Sequence, residues 1–223
     1  MTFLLDSADI DDVKRASDLG YVTGLTTNPT LMRASTDRPL DHLARILQAT
    51  NLPAVYYQPT GIYGSQYEES LAARDLDAKR VVIKLSPTSA GVTIARRLSA
   101  ANIPTALTAA QSPSAMLLAE TIGCCCVIPY VDRGNRDARV GDNLVRRLAT
   151  VRRGKTLILA ASVKSVAQVA QAFLEGADAV TTSLSVLAEL TAFPPSVEAD
   201  ETFWQAWRPS SRLSLPMPTE PPQ

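Results

Sequence analysis

The sequence predicts an α/β fold: a single (β/α)8 (TIM) barrel, followed by an extra C-terminal helix and a Pro-rich tail. Three observations lead there. Eight short apolar runs alternate with segments of helical period, at intervals of about 20–30 residues, which is the rhythm of βα units. The runs are continuously apolar, as strands buried on both faces require. No G-x-G-x-x-G or Walker pattern follows any strand, so an open doubly wound sheet is the weaker alternative. The predicted division is a barrel over residues 1–198, a terminal helix over 199–209 and a flexible tail over 210–223.

Each element has a local reason. Thr2–Asp6 is the first strand and closes on a carboxylate. Ser7 is the candidate N-cap of a helix reaching about Leu19, with Asp11 and Asp12 in its first turns and Gly20 as its stop. Val22–Thr27 is the second strand, and a new helix can open at Pro29 after the Asn28-Pro29 turn. Thr36–Gln48 is helical by period. Leu52–Tyr57 is the third strand, ending in Gln58-Pro59; Gly61 and Gly64 make a loop before a helix over Ser65–Ala78. Arg80–Ser86 (R-V-V-I-K-L-S) is the fourth strand, followed by a helix over Ser89–Ala101. Ile103–Thr108 and Cys124–Val131 are the fifth and sixth strands, on either side of a helix over Ser112–Ile122. Asp132–Gly141 is charged and loop-like, and Asp142–Arg152 is helical. Thr156–Ala161 is the seventh strand, Val166–Leu174 a helix, Ala177–Ser183 a weak eighth strand and Leu184–Leu190 a short helix. Phe203, Trp204 and Trp207 lie in a helix-like piece after Ala199, expected to pack on its own barrel or on a neighbouring subunit. From Pro209 the chain is Pro- and Ser-rich and is expected to be mobile.

Composition narrows the function classes. The 223 residues are 46% hydrophobic, and 22 Lys+Arg balance 22 Asp+Glu. Zero net charge does not point to nucleic acid or an anionic membrane surface as a partner. The start of the chain, with Asp6, Asp9, Asp11 and Asp12, does not read as a secretory signal, and no apolar run approaches a membrane span. The expected location is cytoplasmic. The consecutive Cys124–Cys126 fit neither a disulfide framework nor a zinc spacing, and read as small reduced core residues. The single histidine, His42, reads as a surface or half-buried helix residue, which leaves little room for His-dependent triads or metal sites.

The chemistry is expected at the C-terminal strand ends, where barrels of this kind build their sites. Strand one ends in Asp6; strand two in Thr26, Thr27 and Asn28; strand three in Gln58. Strands four to seven supply Lys84, Thr108, Tyr130 and Ser162. Of five lysines, only Lys84 sits inside a strand-like run. Taken alone it reads as a strand lysine whose head reaches water. Set among the other strand ends it reads as a nucleophile, because a desolvated amine loses its proton readily and attacks ketones. The resulting imine is an electron sink that lets an adjacent C–C bond break or form. Asp6, Tyr130, or a water held by Gln58 and Thr108, could move the proton. Arg133 has two readings, an anion-binding group and a solvated loop charge among Asp132, Arg136, Asp137 and Arg139.

These residues resemble the transaldolase family, and more closely its fructose-6-phosphate aldolase-like branch. The matching pieces are F-L-L-D-S-A-D at Phe3–Asp9, G-L-T-T-N-P-T-L at Gly24–Leu31, V-V-I-K at Val81–Lys84, and P-Y-V-D-R at Pro129–Arg133. L-A-A-S-V-K at Leu159–Lys164 and G-A-D-A-V-T at Gly176–Thr181 extend the likeness over about residues 1–208. The resemblance implies a Schiff-base lysine at Lys84 and a catalytic aspartate at Asp6. It implies substrate binding by Thr26 and Asn28, and phosphate binding by Arg133 and Ser162. Transaldolases carry a glutamate where this chain has Gln58 and lack a tyrosine where it has Tyr130. Gln58, Thr108 and Tyr130 therefore resemble the aldolase-branch group that holds a catalytic water. The implied activity is reversible cleavage of fructose 6-phosphate, or a similar ketose phosphate, into dihydroxyacetone and an aldehyde phosphate. No metal or cofactor is implied, and the implied assembly is a homo-oligomer built from rings, up to a decamer. The alternatives are a transaldolase and a non-catalytic sugar-phosphate-binding barrel. The departures are Leu85-Ser86-Pro87 after the lysine, Thr182-Ser183 near strand eight, the charged Gly134–Val140 loop, the cysteine run and the Pro-rich tail. They bear on substrate identity more than on Schiff-base chemistry.

Overall fold

The computed structural model describes residues 2–62 and 64–208, so the tail expected over 210–223 lies outside the described residues. Every predicted apolar run overlaps a strand, with β5 and β7 each running two residues past the predicted end: β1 Phe3–Asp6, β2 Val22–Thr26, β3 Val55–Tyr57, β4 Val81–Leu85, β5 Thr105–Ala110, β6 Cys126–Pro129, β7 Leu157–Val163 and β8 Ala179–Thr182. Each pairs in parallel with the next and β8 returns to β1, closing the (β/α)8 barrel. The open sheet is thereby excluded. Closure also leaves no edge strand on which a solvent-reaching lysine could sit.

The helices on the connections are α1 Ile10–Asp18, α2 Pro29–Ser35, α3 Pro39–Ala49, α4 Gln66–Leu76, α5 Ser89–Ala100, α6 Ser114–Ile122, α7 Val131–Asn135, α8 Leu144–Val151, α9 Val166–Leu174 and α10 Leu184–Glu189. Their ends follow capping chemistry. At α4, Ser65 and Glu68 form a reciprocal capping box, and Thr88 Oγ1 accepts from Gly91 N at α5. A separate unit begins at Glu189 and carries α11, Pro194–Trp207, whose Phe203, Trp204 and Trp207 are exposed. Among the described residues no helix is long and apolar enough to cross a membrane.

Four local expectations are corrected. The N-cap of α1 is Asp9, not Ser7: Asp9 Oδ1 accepts from the backbone N–H of Asp11 and Asp12, while Ser7 Oγ accepts from Asp9 N and donates to Asp12. The third strand is shorter than Leu52–Tyr57, because Pro53 has no N–H to give a ladder. The segment after β6 is not all loop: α7 starts at Val131, and Gly134 N donates to Tyr130 O at 2.8 Å. His42 is buried, with Nε2 bonded to Ala8 O at 2.7 Å, because α3 turns this face onto the chain that follows β1.

The barrel interior alternates small and large side chains. Ala54, Ala106 and Ala179 leave room for Leu4, Tyr56 and Leu159, and this packing fills the floor beneath the strand ends. Just outside β4 the fit is tight. A Cβ added at Gly91, in the first turn of α5, would lie 2.1 Å from the Ser86 carbonyl oxygen. Neither the strand end nor the helix start can give way, so Gly91→Ala is expected to destabilise the fold by about 1–3 kcal/mol. Urea unfolding of the two proteins measures this, and an unchanged midpoint would contradict the packing.

Candidate active site

A cavity of about 510 Å³ opens at the C-terminal ends of the strands. Asp6, Thr26, Asn28, Gln58, Lys84, Tyr130, Arg133 and Ser162 line it, which is eight of the nine residues given a site role from the sequence. The ninth, Thr108, is fully buried in β5 and is not on the cavity wall, although its neighbour Ala109 is.

Lys84 lies in β4 between Ile83 and Leu85 and is only 3% exposed. Burial pushes its ammonium down from about 10.5 to about 8, against the opposing charge of Asp6. The amine is therefore partly neutral near pH 8, the form that attacks a carbonyl. The bland reading of a snorkelling lysine does not survive this geometry.

The Asp6 carboxylate is held by a chain of hydroxyls. Thr26 Oγ1 donates to Asp6 Oδ1 at 2.7 Å, and Thr26 and Thr181 share a further 2.7 Å hydrogen bond. Because the single Thr26 hydrogen goes to Asp6, Thr181 is the donor to Thr26. Asn28 is the N-cap of α2, its Oδ1 accepting from Leu31 N at 3.0 Å, which leaves its NH2 group for a ligand. Two acceptors stand out. Gln58 Oε1 and Thr108 Oγ1 are buried with no hydrogen-bond partner among the described residues.

Tyr130 caps the start of α7, and Arg133 follows one turn later with its guanidinium 4.9 Å from the Tyr130 ring centroid. Its neighbours are neutralised locally, Arg136 by Asp132 and Arg139 by Asp137. Arg133 instead reaches the cavity, so the loop-charge reading applies to its neighbours. Ser162 and Ala109 adopt left-handed backbone, with φ of +58° and +56°. Each sits at a register shift, in β7 and β5 respectively, so the two strands flanking β6 both buckle at the cavity. Non-glycine residues in this conformation cluster at functional sites, where surrounding packing holds the strain.

Sequence reasoning also passes over several wall residues, among them Lys164 and Thr181. Lys164, two residues after Ser162, brings a second cation to the wall. Thr181 comes from β8, whose sequence signal is the weakest of the strands.

The model of the family described as transaldolase/fructose-6-phosphate aldolase matches residues 3–211. The chain belongs to this family. A relative from Thermodesulfovibrio yellowstonii named "Probable transaldolase" is 30% identical over 210 residues, covering 93% of this chain and 98% of the relative. Relatives with the same name are 31% identical in Thermoplasma volcanium and 32% identical in Hydrogenobaculum sp., each covering 93% of this chain and 96% of the relative. Members of the transaldolase/fructose-6-phosphate aldolase family are enzymes that act on sugar phosphates.

In this member the buried lysine costs stability. The folded chain binds Lys84's proton less tightly than the unfolded chain, so stability rises with pH between about 8 and about 10.5. Below pH 8 the ammonium costs on the order of 3 kcal/mol. Lys84→Met is therefore expected to unfold at higher urea than the parent at about pH 6–7, with the advantage fading toward pH 10.5. Unfolding midpoints across that range measure it; equal midpoints at low pH would contradict the burial cost.

Proposed function

We propose that this chain is a Schiff-base (class I) aldolase that cleaves a ketose phosphate into dihydroxyacetone and an aldehyde phosphate, and runs the reverse. The observation that carries the proposal is Lys84: buried, with its pKa lowered to about 8, in a cavity that also holds Asp6, Gln58 and Tyr130. The neutral amine adds to the ketone carbon and loses water to give a protonated imine. Asp6, held by Thr26, moves the protons of this dehydration. Removal of the proton from the hydroxyl two carbons from the imine carbon sends the C–C bonding pair into the imine. The aldehyde leaves and an enamine remains on Lys84. Protonation of the enamine carbon and hydrolysis release dihydroxyacetone and restore the amine.

The proton that travels at the C–C step is assigned to a water held by Gln58 and the Tyr130 hydroxyl, with Thr108, buried next to the wall residue Ala109, as a further partner for it. Gln58 cannot ionise, so its part is to orient. The buried, unpartnered Gln58 Oε1 and Thr108 Oγ1 support this assignment, since acceptors of that kind normally bind something. Arg133, Lys164 and Ser162 supply two cations and a hydroxyl for the substrate phosphate. Asn28 supplies amide donors for a substrate hydroxyl. The imine is itself the electron sink, so the sequence of steps calls for no metal or cofactor.

A second reading is transfer of the three-carbon unit to an acceptor aldehyde, and the relatives named "Probable transaldolase" favour it. The two differ only in the fate of the enamine, and comparing free dihydroxyacetone release with transfer to erythrose 4-phosphate separates them. For the shared chemistry, borohydride with a ketose phosphate is expected to add a reduced adduct to the intact protein, absent in Lys84→Met. No adduct on the parent, or one that persists without Lys84, would sink the mechanism. Tyr130→Phe is expected to keep the adduct while lowering turnover by about 10²–10⁴-fold. Unchanged turnover would remove Tyr130 from the proton path.

A further inference from the structure

The chain that carries Gln58 is gripped from both sides by one buried carboxylate that lies outside the cavity. Glu69, in α4, is 1% exposed and has no cationic partner among the described ion pairs. It is satisfied by donors from the segment between β3 and α4. Its Oε1 accepts from the Tyr57 hydroxyl at 2.5 Å and from Thr60 N at 2.8 Å. Its Oε2 accepts from Gly61 N at 2.6 Å, and the Thr60 hydroxyl lies 3.0 and 3.1 Å from the two oxygens. Tyr57 precedes Gln58, and Thr60 and Gly61 follow Pro59. The four contacting groups therefore bracket the Gln58-Pro59 pair.

Such a carboxylate is unusual as mere packing. A buried charge is tolerated when hydrogen bonds replace its water, and here two side-chain hydroxyls and two backbone amides do so. All of them belong to the segment with Gln58 in its middle. Gly61 reaches Glu69 from a left-handed turn, with φ of +84°. A strand end that would otherwise pass into an open loop is thus tied at both ends to the body of α4, which begins at a capping box.

We propose that Glu69 is a positioning residue for the Lys84 site: it fixes the Tyr57–Gly61 chain so that the Gln58 carboxamide is held on the cavity wall. It touches neither substrate nor Lys84 and acts through Gln58. The inference rests on the reading of Gln58 as a water-orienting group in the proposed aldol chemistry. Displacement of a catalytic group by about 1 Å can cost about 10²-fold in rate, so a remote clamp of this kind has kinetic consequences.

The test is a double-mutant cycle. Glu69→Gln puts an NH2 donor where the Tyr57, Thr60 and Gly61 donors converge. It is expected to lower kcat by about 10- to 100-fold, with little change in KM for the ketose phosphate and with the borohydride adduct on Lys84 preserved. Gln58→Ala is expected to lower kcat similarly, and adding Glu69→Gln to it to lower kcat no further. Multiplicative effects in the double variant, or an unchanged kcat in Glu69→Gln with a lower unfolding midpoint, would overturn the proposal and leave Glu69 a structural residue. Should Glu69→Gln fail to fold, Tyr57→Phe removes one donor and keeps the carboxylate. It is expected to show the same kcat loss in smaller measure, and that loss should likewise vanish on the Gln58→Ala background; a persisting loss would overturn the proposal. Absence of the adduct in the parent protein would instead defeat the aldol reading itself, which separates the two failures.

Discussion

The burial of one ammonium inside a closed barrel is the constraint around which the rest is arranged. In β4, alternate residues point inward, and the inward set includes Val82 and Lys84. Beneath them the interior is packed with Leu4, Tyr56, Cys126 and Leu159, which offer no compensating anion. Above them lies the cavity. Lys84 thus sits at the boundary between a dry floor and an open mouth. Only Asp6 supplies substantial opposing charge, and part of that carboxylate is already occupied by Thr26. Desolvation wins, and the amine titrates near 8. A sequence selected for stability alone would place leucine or methionine there; retaining lysine gives up stability for reactivity.

Around that amine, the same atoms serve fold and site. Asn28 caps α2 with its oxygen and keeps its nitrogen toward the cavity. Tyr130 begins α7, and the helical turn after it sets Arg133 over its ring. The bulged residues Ala109 and Ser162 break the register of β5 and β7 where those strands meet the cavity. Ligand-facing groups placed this way cannot drift without undoing a helix start or a strand end, which is how a barrel holds polar groups to tight tolerances on loops.

Much of this was legible in the sequence because it depends on order alone. Eight apolar runs in alternation specify a parallel barrel, and a barrel brings its strand ends together whatever the details of each loop. That is why Asp6, Gln58, Lys84, Tyr130 and Ser162 could be grouped before any coordinates. What was not legible depends on register and on contacts distant in sequence. Thr108 reads as one more strand end, but the chain buries it and the bulge after it puts Ala109 on the cavity wall. Lys164 lies in the L-A-A-S-V-K piece but has no local site signal, since nothing in the sequence says that a buckled β7 turns its end toward the mouth. The helix α7 was hidden by its charges, which pair within the segment instead of marking a solvated loop. Glu69 carried no signal at all, being one acidic residue in a helix rich in them.

The identity of residue 58 links the electrostatics of the site to the fate of the intermediate. A carboxylate at that position would be a second anion in the cavity with Lys84. It would stabilise the ammonium and move the amine's titration back toward 10. It would also accept a proton itself, taking over the part assigned here to a water. A carboxamide does neither. With Gln58 neutral, Asp6 remains the one strand-end carboxylate, Lys84 keeps its lowered pKa, and in the proposed chemistry the proton traffic at the C–C step falls to the Tyr130 hydroxyl and a bound water. An enamine with a proton source beside it is protonated and released, whereas one shielded from protons survives to meet an acceptor. In the proposed chemistry, the aim of Gln58 bears on whether the enamine is protonated or transferred, and Glu69 is the proposed clamp on that aim.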